Sequence, residues 1–467
     1  MSGKPQTQYQ CSNCDHVERK WLGRCPSCGE WNTLVEVAVV SGAGGGGKAG
    51  AAGRSSAAGK RPAPRATALA GIQADPEQEV RHSTGMAELD RVLGGGLVPG
   101  ATILVGGEPG IGKSTLMLQM AAQMRRRKVL YVTGEESTRQ IGLRARRLGV
   151  SNADVKVVSE SRLEQILTLL GPAGKDPRYD VVIIDSIQTL HSPEVGSVPG
   201  SPNQIKYGAF ELSDWARTCE SALFLVAHVT KEGNIAGPKM IEHMVDTVLY
   251  FEQSEDDTRF LRATKNRFGS TDEIGLFLMQ SSGLVQVSDP NSIFLVRRDG
   301  SMPAGVAVAP VVEGSRVLLV EVQALTVPAK GGMSRVFSDR LDSRRVNRMA
   351  AVLEKHLGVQ FSDQDIYVNV AGGMRIADVA VELPLAMALY SARSDKPLPS
   401  GTAVAGDVSL AGEVRPVVQM ARRARTGKEM GMGRCIGPAK TRDGETDAAV
   451  KWTGVKSIGD AVRVLFG

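Results

Sequence analysis

The chain has 467 residues, of which 42% are apolar and 23% charged, and it carries a net charge of +6. This length exceeds what one hydrophobic core usually organises, so we expect two large domains with small appendages. The sequence has no apolar run of about 18 residues and no apolar signal-peptide core near Met1, which argues against a membrane-spanning or secreted protein and predicts a cytoplasmic one.

Four of the six cysteines lie near the start as two pairs, Cys11-x-x-Cys14 and Cys25-x-x-Cys28. Two such pairs can place four thiolates around one tetrahedral Zn²⁺, and the zinc is expected to be structural because protein fills every ligand position. We therefore predict a zinc ribbon over residues 1–40. Aromatic and basic side chains of this ribbon either contact nucleic acid or pack and solvate the small module: Arg19, Lys20, Trp21, Arg24 and Trp31.

Residues 41–70 are rich in Gly, Ala, Ser and Pro, which predicts a flexible linker. This segment carries five cations and no acid, and it therefore accounts for most of the net charge: Lys48, Arg54, Lys60, Arg61 and Arg65. The rest of the chain is close to balanced. Composition alone thus gives weak support for a nucleic-acid partner.

Residues 71–288 alternate apolar, strand-like runs with longer amphipathic stretches, which is typical of a parallel sheet covered by helices. The predicted strands are 101–106, 129–133, 155–159, 181–185 and 223–227. Two further runs, 245–251 and 259–264, flank a polar turn. We expect them to pair and to close the edge of the sheet.

Residues 289–467 are predicted to form a second domain that mixes strands and helices. Strands are expected at 317–323 and 366–370, and helices at 338–357 and 377–392. The chain is thus predicted to be an α/β protein with an N-terminal ribbon and a C-terminal α+β domain.

A glycine-rich loop lies between the strand 101–106 and the helical stretch 115–124, and it matches G-x-x-x-x-G-K-[ST]. Its backbone amides should surround the phosphates of ATP, while Lys113 reaches the β- and γ-phosphates and the Ser114 hydroxyl binds Mg²⁺. The predicted nucleotide-binding residues are Gly107, Glu108, Pro109, Gly110, Ile111, Gly112, Lys113, Ser114 and Thr115.

Acidic residues follow two of the predicted strands. Asp185 ends the apolar run 181–185 and is the second predicted Mg²⁺ residue. Glu135 and Glu136 follow the strand 129–133, at the edge where open α/β sheets bind ligands. One of them should orient the attacking water, and we prefer Glu135. Glu136 could instead interact with the dipole of the next helix.

The order of these motifs resembles the RecA-like ATPase core of DnaB-type helicases and KaiC. The run Lys265-Asn266-Arg267-Phe268-Gly269 is similar to the signature of the bacterial RadA (Sms) family, and so is the ribbon pattern from Trp21 to Trp31. The resemblance implies that Lys265 and Arg267 act on the ATP of a neighbouring subunit, with an exposed hairpin charge as the alternative. It also implies that His228 senses the γ-phosphate.

The same resemblance implies two mobile loops that contact DNA in the channel of a ring, at 230–239 and 199–206. Lys206, Lys231 and Lys239 are the candidate contacts, and ordinary surface charge is the alternative. On the predicted helix 338–357, Arg340, Arg344 and Arg348 are spaced to share one face. This stripe either binds phosphates or belongs to a solvated helix.

The C-terminal region resembles the proteolytic domain of Lon, through the motifs at 370–375 and 406–416. Lon proteases need a Ser-Lys dyad. The serine position falls near Ala380 and the lysine position near Arg423, and these residues supply neither a nucleophile nor a general base. Proteolysis is therefore not expected.

These features predict a DNA-stimulated ATPase motor that forms a ring, a homo-hexamer, on single-stranded and branched DNA. Its expected role is branch migration in recombination and repair, with a RecA-type recombinase as partner and ATP, Mg²⁺ and Zn²⁺ bound. Two alternatives remain open. One is an ATP-dependent Lon-like protease, and the other is a KaiC-like signalling ATPase that acts without DNA.

Overall fold

A computed structural model describes residues 7–11, 16–27, 29, 31, 34–38, 80–172, 178–228, 238–253, 257–287, 289, 291–296, 298, 301–330, 334–440 and 452–467. At the N-terminus, three strands form a small antiparallel sheet with the order β2-β1-β3. They are β1 (Thr7–Cys11), β2 (Val17–Glu18) and β3 (Leu34–Ala38).

The next part of the chain alternates strands and helices as the apolar runs predict. Its elements are α1 (Ala87–Leu93), β4 (Thr102–Gly107), α2 (Lys113–Gln123), β5 (Val129–Thr133), α3 (Thr138–Arg147), β6 (Val155–Ser159), α4 (Leu163–Leu170), β7 (Val181–Asp185), α5 (Pro202–Cys219), β8 (Ala222–Val226), α6 (Pro238–Ile241), β9 (Thr247–Gln253), β10 (Thr258–Asn266), β11 (Ile274–Gln280) and β12 (Gly283–Gln286).

In the described part of the chain these strands form one sheet, with the order β12-β11-β10-β9-β4-β8-β7-β5-β6. Strands β4 to β9 pair in parallel, whereas β10, β11 and β12 pair antiparallel. The expectation that β9 and β10 close the edge is wrong. Two more strands follow them, because Ile274–Gln280 continues the antiparallel pairing and leaves β12 at the edge.

Apolar side chains cover both faces of this sheet. On β4, Ile103 and Val105 pack into one core cluster and Leu104 packs into another on the opposite face. Successive side chains of a strand point to opposite faces, so a strand covered on both sides reads as a continuous apolar run. This is why the sequence pattern locates these strands.

The C-terminal part contains α7 (Asn291–Phe294), β13 (Val306–Glu313), β14 (Arg316–Pro328), β15 (Val336–Ser338), α8 (Ser343–Leu357), β16 (Gln364–Val370), α9 (Glu382–Ser394), β17 (Thr402–Val404), β18 (Asp407–Val408), β19 (Val414–Arg415), α10 (Met420–Glu429), β20 (Arg434–Pro438), β21 (Thr453–Val455) and α11 (Ile458–Phe466). Within the described residues, its larger sheet has the order β15-β16-β14-β13-β17-β20-β21.

Both predicted C-terminal helices begin later than expected. The first starts at Ser343 rather than residue 338, because Val336–Ser338 pairs with β16 and the Asp342 side chain accepts a hydrogen bond from Arg344 N. The second starts at Glu382 rather than residue 377. The Asp378 carboxylate accepts a hydrogen bond from Ala380 N and holds a 3₁₀ turn there.

The second sheet packs directly on the outer strands of the first. Phe260, Ile274 and Leu276 share one core cluster with C-terminal residues such as Val320. A buried ion pair crosses the same contact: Arg316 binds both oxygens of Glu88 at 2.5 and 2.9 Å. The domain division at residue 288 remains a prediction, and it separates residues that share a core. No helix in the described ranges is both long and apolar enough to cross a membrane.

Candidate functional site

The glycine-rich loop connects β4 to the first residue of α2, Lys113. Gly112 has φ of +116°, and a Cβ there would lie 2.7 Å from Met279 Cε. At Gly107, with φ of +155°, a Cβ would lie 2.8 Å from the Phe251 carbonyl oxygen. Only glycine fits both positions, and the loop thereby presents backbone amides at a helix N-terminus, which favours bound anions.

The Lys113 side chain is buried at the base of this loop. Its ammonium group donates hydrogen bonds to the carbonyl oxygens of Gly107 at 2.7 Å and Glu108 at 2.9 Å. Burial lowers the pKa of Lys113 to about 8, and the carboxylates of Asp185 and Glu135 act in the opposite direction. The cation therefore lies inside the loop with two acidic groups facing it.

The acidic residue at the end of β7 is held by a tyrosine from the neighbouring strand. Tyr131 OH donates to Asp185 Oδ2 at 2.5 Å, and both residues are buried. Burial and the Asp185 carboxylate raise the pKa of Tyr131 well above its usual value, so the phenol remains a donor. Sequence reasoning found Asp185 but missed Tyr131, since a tyrosine within an apolar strand gives no separate signal.

Three neighbouring strand ends bring Glu135, Ser186 and His228 together. Thr133 pairs with Asp185, and Asp185 pairs with Val226, so the residues just after β5, β7 and β8 meet at one edge. Ser186 Oγ donates to Glu135 Oε1 at 2.6 Å, and His228 Nε2 lies 3.3 Å from the same oxygen. Glu135 keeps 47% of its side chain exposed and so faces the open side of the loop.

The adjacent Glu136 has a different environment. Its carboxylate binds Arg144 Nη2 at 2.5 Å, and its backbone N–H donates to Thr133 Oγ1 at 3.0 Å. These contacts join the end of β5 to α3. Glu136 is thus engaged in packing the helix, whereas Glu135 points to the ligand edge.

Two more residues at this edge were missed from the sequence. The buried Arg259 on β10 donates from Nε to the carbonyl oxygen of Ile111, at 3.3 Å, and so supports the loop. Burial lowers the pKa of this guanidinium. Gln188 Nε2 donates to the His228 carbonyl oxygen at 3.2 Å. Neither residue belongs to a motif that sequence spacing reveals.

Lys265 and Arg267 lie at the opposite edge of the sheet from the glycine-rich loop. Asn266 pairs with Thr247, which pairs with Ile103 at the start of β4. The loop begins at Gly107, at the far end of β4, which is about 13 Å from Ile103 at about 3.3 Å per residue. Within one chain, these cations are therefore remote from the nucleotide edge.

Each of the two cations has contacts of its own at that edge. Lys265 Nζ donates to the carbonyl oxygens of Glu242 at 2.8 Å and Val245 at 2.7 Å, and burial and the Arg267 charge lower the pKa of Lys265. Arg267 Nη1 lies 3.2 Å from Asp246 Oδ1 and keeps 59% of its side chain exposed. Arg267 thus remains accessible to another molecule.

Comparison with known proteins shows relatives that match nearly the whole chain. DNA repair protein RadA of Treponema pallidum is 51% identical over 431 residues, covering 92% of this chain and 91% of the relative. Those of Pseudomonas aeruginosa and Bacillus subtilis are 42% and 40% identical, and each match covers 99% of both chains. The chain belongs to the RadA family of DNA repair proteins.

Family models match all three structural regions of this RadA-family chain. One described as a rubredoxin metal binding domain matches residues 9–36, one described as an AAA domain matches 73–234, and one described as subunit ChlI of Mg-chelatase matches 342–441. These matches confirm the predicted fold class: an N-terminal zinc ribbon, a RecA-like P-loop ATPase core and a Lon-like C-terminal domain.

The ribbon has a chemistry that fits zinc. Cys11 and Cys25 are buried together in one small cluster with Leu34, and thiolates at such spacing are typical structural zinc ligands. Cys14 and Cys28 lie outside the described residues. Trp21 and Trp31 are 54% and 68% exposed, so the two indoles do not form the core of the module.

Of the three lysines predicted to contact DNA, the side chain of Lys206 is described. Lys206 is exposed on α5 rather than in a loop, because the helix begins at Pro202. Lys231 lies outside the described residues, and Lys239 is described only through its backbone in α6.

The expectation that Arg340, Arg344 and Arg348 share one helical face is wrong. Arg340 precedes the Asp342 N-cap of α8 and is therefore not on the helix. Arg344 pairs with Asp342 at 2.8 Å, and Arg348 pairs with the buried Glu382. The acidic partners of Arg344 and Arg348 weaken the case that these side chains bind phosphates.

The two positions of the missing protease dyad share one carboxylate. Asp378 accepts hydrogen bonds from Ala380 N at 3.0 Å and from Arg423 Nη1 at 2.6 Å. Arg423 is fully buried and also donates to the carbonyl oxygens of Pro310 and Val418. These two positions thus hold an alanine and an arginine bound by the protein, and neither side chain is a nucleophile.

Proposed function

We propose that this chain is a DNA-stimulated ATPase that assembles into a homo-hexameric ring and drives branch migration and strand exchange on recombination intermediates. The observation that carries the proposal is the separation of Lys113 and Arg267 to opposite edges of one sheet. In a ring, Arg267 of one copy would lie against the glycine-rich loop of the next copy. Two copies would then together supply the loop and the arginine of one ATP site, which a single chain does not bring together. Single-stranded and branched DNA are the proposed substrates, with a RecA-type recombinase as partner.

ATP is proposed to bind along the loop, with its phosphates on the α2 amides and on Lys113. Ser114 and Asp185 would hold Mg²⁺, which would supply positive charge to the phosphate oxygens. Lys113 then exchanges the Gly107 and Glu108 carbonyls for phosphate oxygens. Tyr131 keeps the Asp185 carboxylate in place throughout.

Glu135 is proposed to accept the proton of the attacking water. Ser186 and His228 both contact Glu135 Oε1, which fixes its orientation and leaves its exposed side toward the loop. His228 directly precedes the segment that carries Lys231, so DNA bound there would act on the Glu135 cluster through His228. This connection gives a physical route for DNA to stimulate ATP hydrolysis.

Two adjacent glutamates allow a matched test of the base. Glu135→Gln is expected to lower the rate of ATP hydrolysis by roughly 10²–10⁴-fold, because the amide cannot accept the proton, while nucleotide affinity stays close to wild type. Glu136→Gln is expected to lower the melting temperature through the Arg144 contact, with a small change in rate. Single-turnover hydrolysis and thermal unfolding of both variants distinguish the roles. Equal rate losses in the two variants would contradict the assignment.

The measurement that tests the proposed function is ATP turnover with and without single-stranded DNA. We expect a large stimulation by DNA, together with movement of a branch point in a synthetic three-strand junction. Turnover that is insensitive to DNA would favour the KaiC-like signalling ATPase. ATP-dependent breakdown of casein would favour the Lon-like protease, which the Ala380 and Arg423 geometry opposes.

A further inference from the structure

A cluster of exposed cations lies at the edge of the ATPase sheet opposite the glycine-rich loop, beside β5 and β6, whereas Arg267 lies on the same edge beyond β10, with β9, β4, β8 and β7 between β10 and β5. Lys128 directly precedes β5, and both α2 and α3 run back from the nucleotide edge and end nearby. We name this surface the basic patch, and it consists of Arg125, Arg126, Lys128, Arg146 and Arg147. All five residues are exposed.

A surface cleft joins the two chain segments that supply these cations. The cleft has a volume of about 660 Å³ and is lined by Arg125 on one side and by Gly149 and Val150, just beyond α3, on the other. The carboxylates nearby are already paired: Asp154 with Lys156 at 2.9 Å, and Asp180 with Arg127 at 3.8 Å. Within the described residues, no carboxylate pairs with a side chain of the basic patch.

Arg127 adds a further positive charge between Arg126 and Lys128. Arg127 Nη2 contacts His82 Nδ1 at 2.7 Å, and burial together with the Arg127 charge lowers the pKa of His82. A helix C-terminus favours cations within its last turn, which suits Arg146 and Arg147 on α3. The favourable effect of the helix dipole falls off within a turn. It therefore contributes less at Arg125, Arg126 and Lys128, which lie beyond the end of α2.

We propose that the basic patch binds the phosphate backbone of double-stranded DNA, as a contact separate from the single-strand site. Arginine forks match phosphate geometry, and clustered cations gain affinity for a polyanion by neutralising its phosphates and releasing counterions. Among the residues that the structure describes, the cleft beside the patch is lined by no aromatic one on which unpaired bases could stack, so its chemistry fits a duplex rather than a single strand. The inference rests on the proposed DNA-dependent function, and it places a duplex arm of a branched substrate on this face.

The test uses the full chain and a fourfold variant, Arg125→Gln, Arg126→Gln, Arg146→Gln and Arg147→Gln. Affinity is measured against salt concentration for a fork with a duplex arm and for its single-stranded tail alone. Removing one cation that binds a duplex phosphate lowers the salt slope by about 0.9, so the fork slope should fall by about 3 to 4. Affinity for the tail, and ATP turnover on it, should stay within about twofold of wild type.

A matched control removes the same number of exposed cations from the C-terminal part: Lys355→Gln, Lys396→Gln, Arg415→Gln and Lys428→Gln. The control should keep the wild-type fork slope. An unchanged slope in the fourfold variant overturns the proposal, and so does a reduced slope that accompanies smaller assemblies by light scattering, since the patch would then face another copy. If the single-stranded tail does not stimulate ATP turnover by the wild-type protein, the proposed function is wrong. The salt dependence of fork binding would still show whether the basic patch binds duplex DNA.

Discussion

Replacing Lys113 with alanine is expected to lower ATP turnover by on the order of 10³-fold or more while the fold stays intact. The side chain supplies the one loop cation that faces both Asp185 and Glu135. Its removal takes away charge that stabilises the phosphates, both when ATP binds and when charge develops during transfer. Steady-state hydrolysis and nucleotide binding measure the two effects.

The fold should tolerate this change because the hydrogen bonds of Lys113 go to the loop's own carbonyls. Gly107 and Glu108 would bind water instead, and Glu108 is already exposed. Lys156→Ala serves as the control, since Lys156 is exposed on the same domain and pairs with Asp154. It should turn over ATP as wild type does. A wild-type rate in Lys113→Ala, with an unchanged melting temperature, would refute the nucleotide site.

Buried strands and fixed motifs are the parts that the sequence predicts well. The buried strands Val129–Thr133 and Val181–Asp185 begin and end where the apolar runs do. A strand covered on both faces must be apolar at nearly every position, and this leaves a strong signal. The glycine-rich loop is equally visible because its backbone excludes other residues at fixed positions.

Contacts made by tertiary structure were not predictable. Tyr131, Ser186 and Arg259 act through partners that lie far along the chain, 54 residues away for Asp185 and 148 for Ile111. The sequence around these residues does not indicate which residues they contact. The predicted arginine stripe was wrong for a related reason. Residues four apart share a face only when all of them lie in the helix. The strand Val336–Ser338 and the Asp342 cap place Arg340 outside α8.

Arg267→Ala is expected to lower turnover by on the order of 10³ to 10⁵-fold with nearly unchanged ATP affinity. The nucleotide would still be held by the glycine-rich loop, Lys113 and Asp185 of the chain that binds it. Arg267 of that chain lies at the opposite edge of the sheet and does not reach this nucleotide. The effect should therefore appear in the rate of hydrolysis and not in binding. Arg415→Ala, an exposed arginine of the C-terminal part, is the control and should keep the wild-type rate.

Mixed assemblies decide whether Arg267 acts on a neighbouring copy. Arg267→Ala chains keep Lys113, and Lys113→Ala chains keep Arg267, so neither variant alone forms a complete site. In an equal, random mixture, about one interface in four pairs an intact loop with an intact arginine across a heterologous contact. Hydrolysis should then recover to about that fraction of wild type. Activity equal to the sum of the two parents, in rings shown to be mixed because differently tagged chains purify together, would mean that Arg267 does not act on a neighbouring copy. Its contact with Asp246 would then mark a structural hairpin.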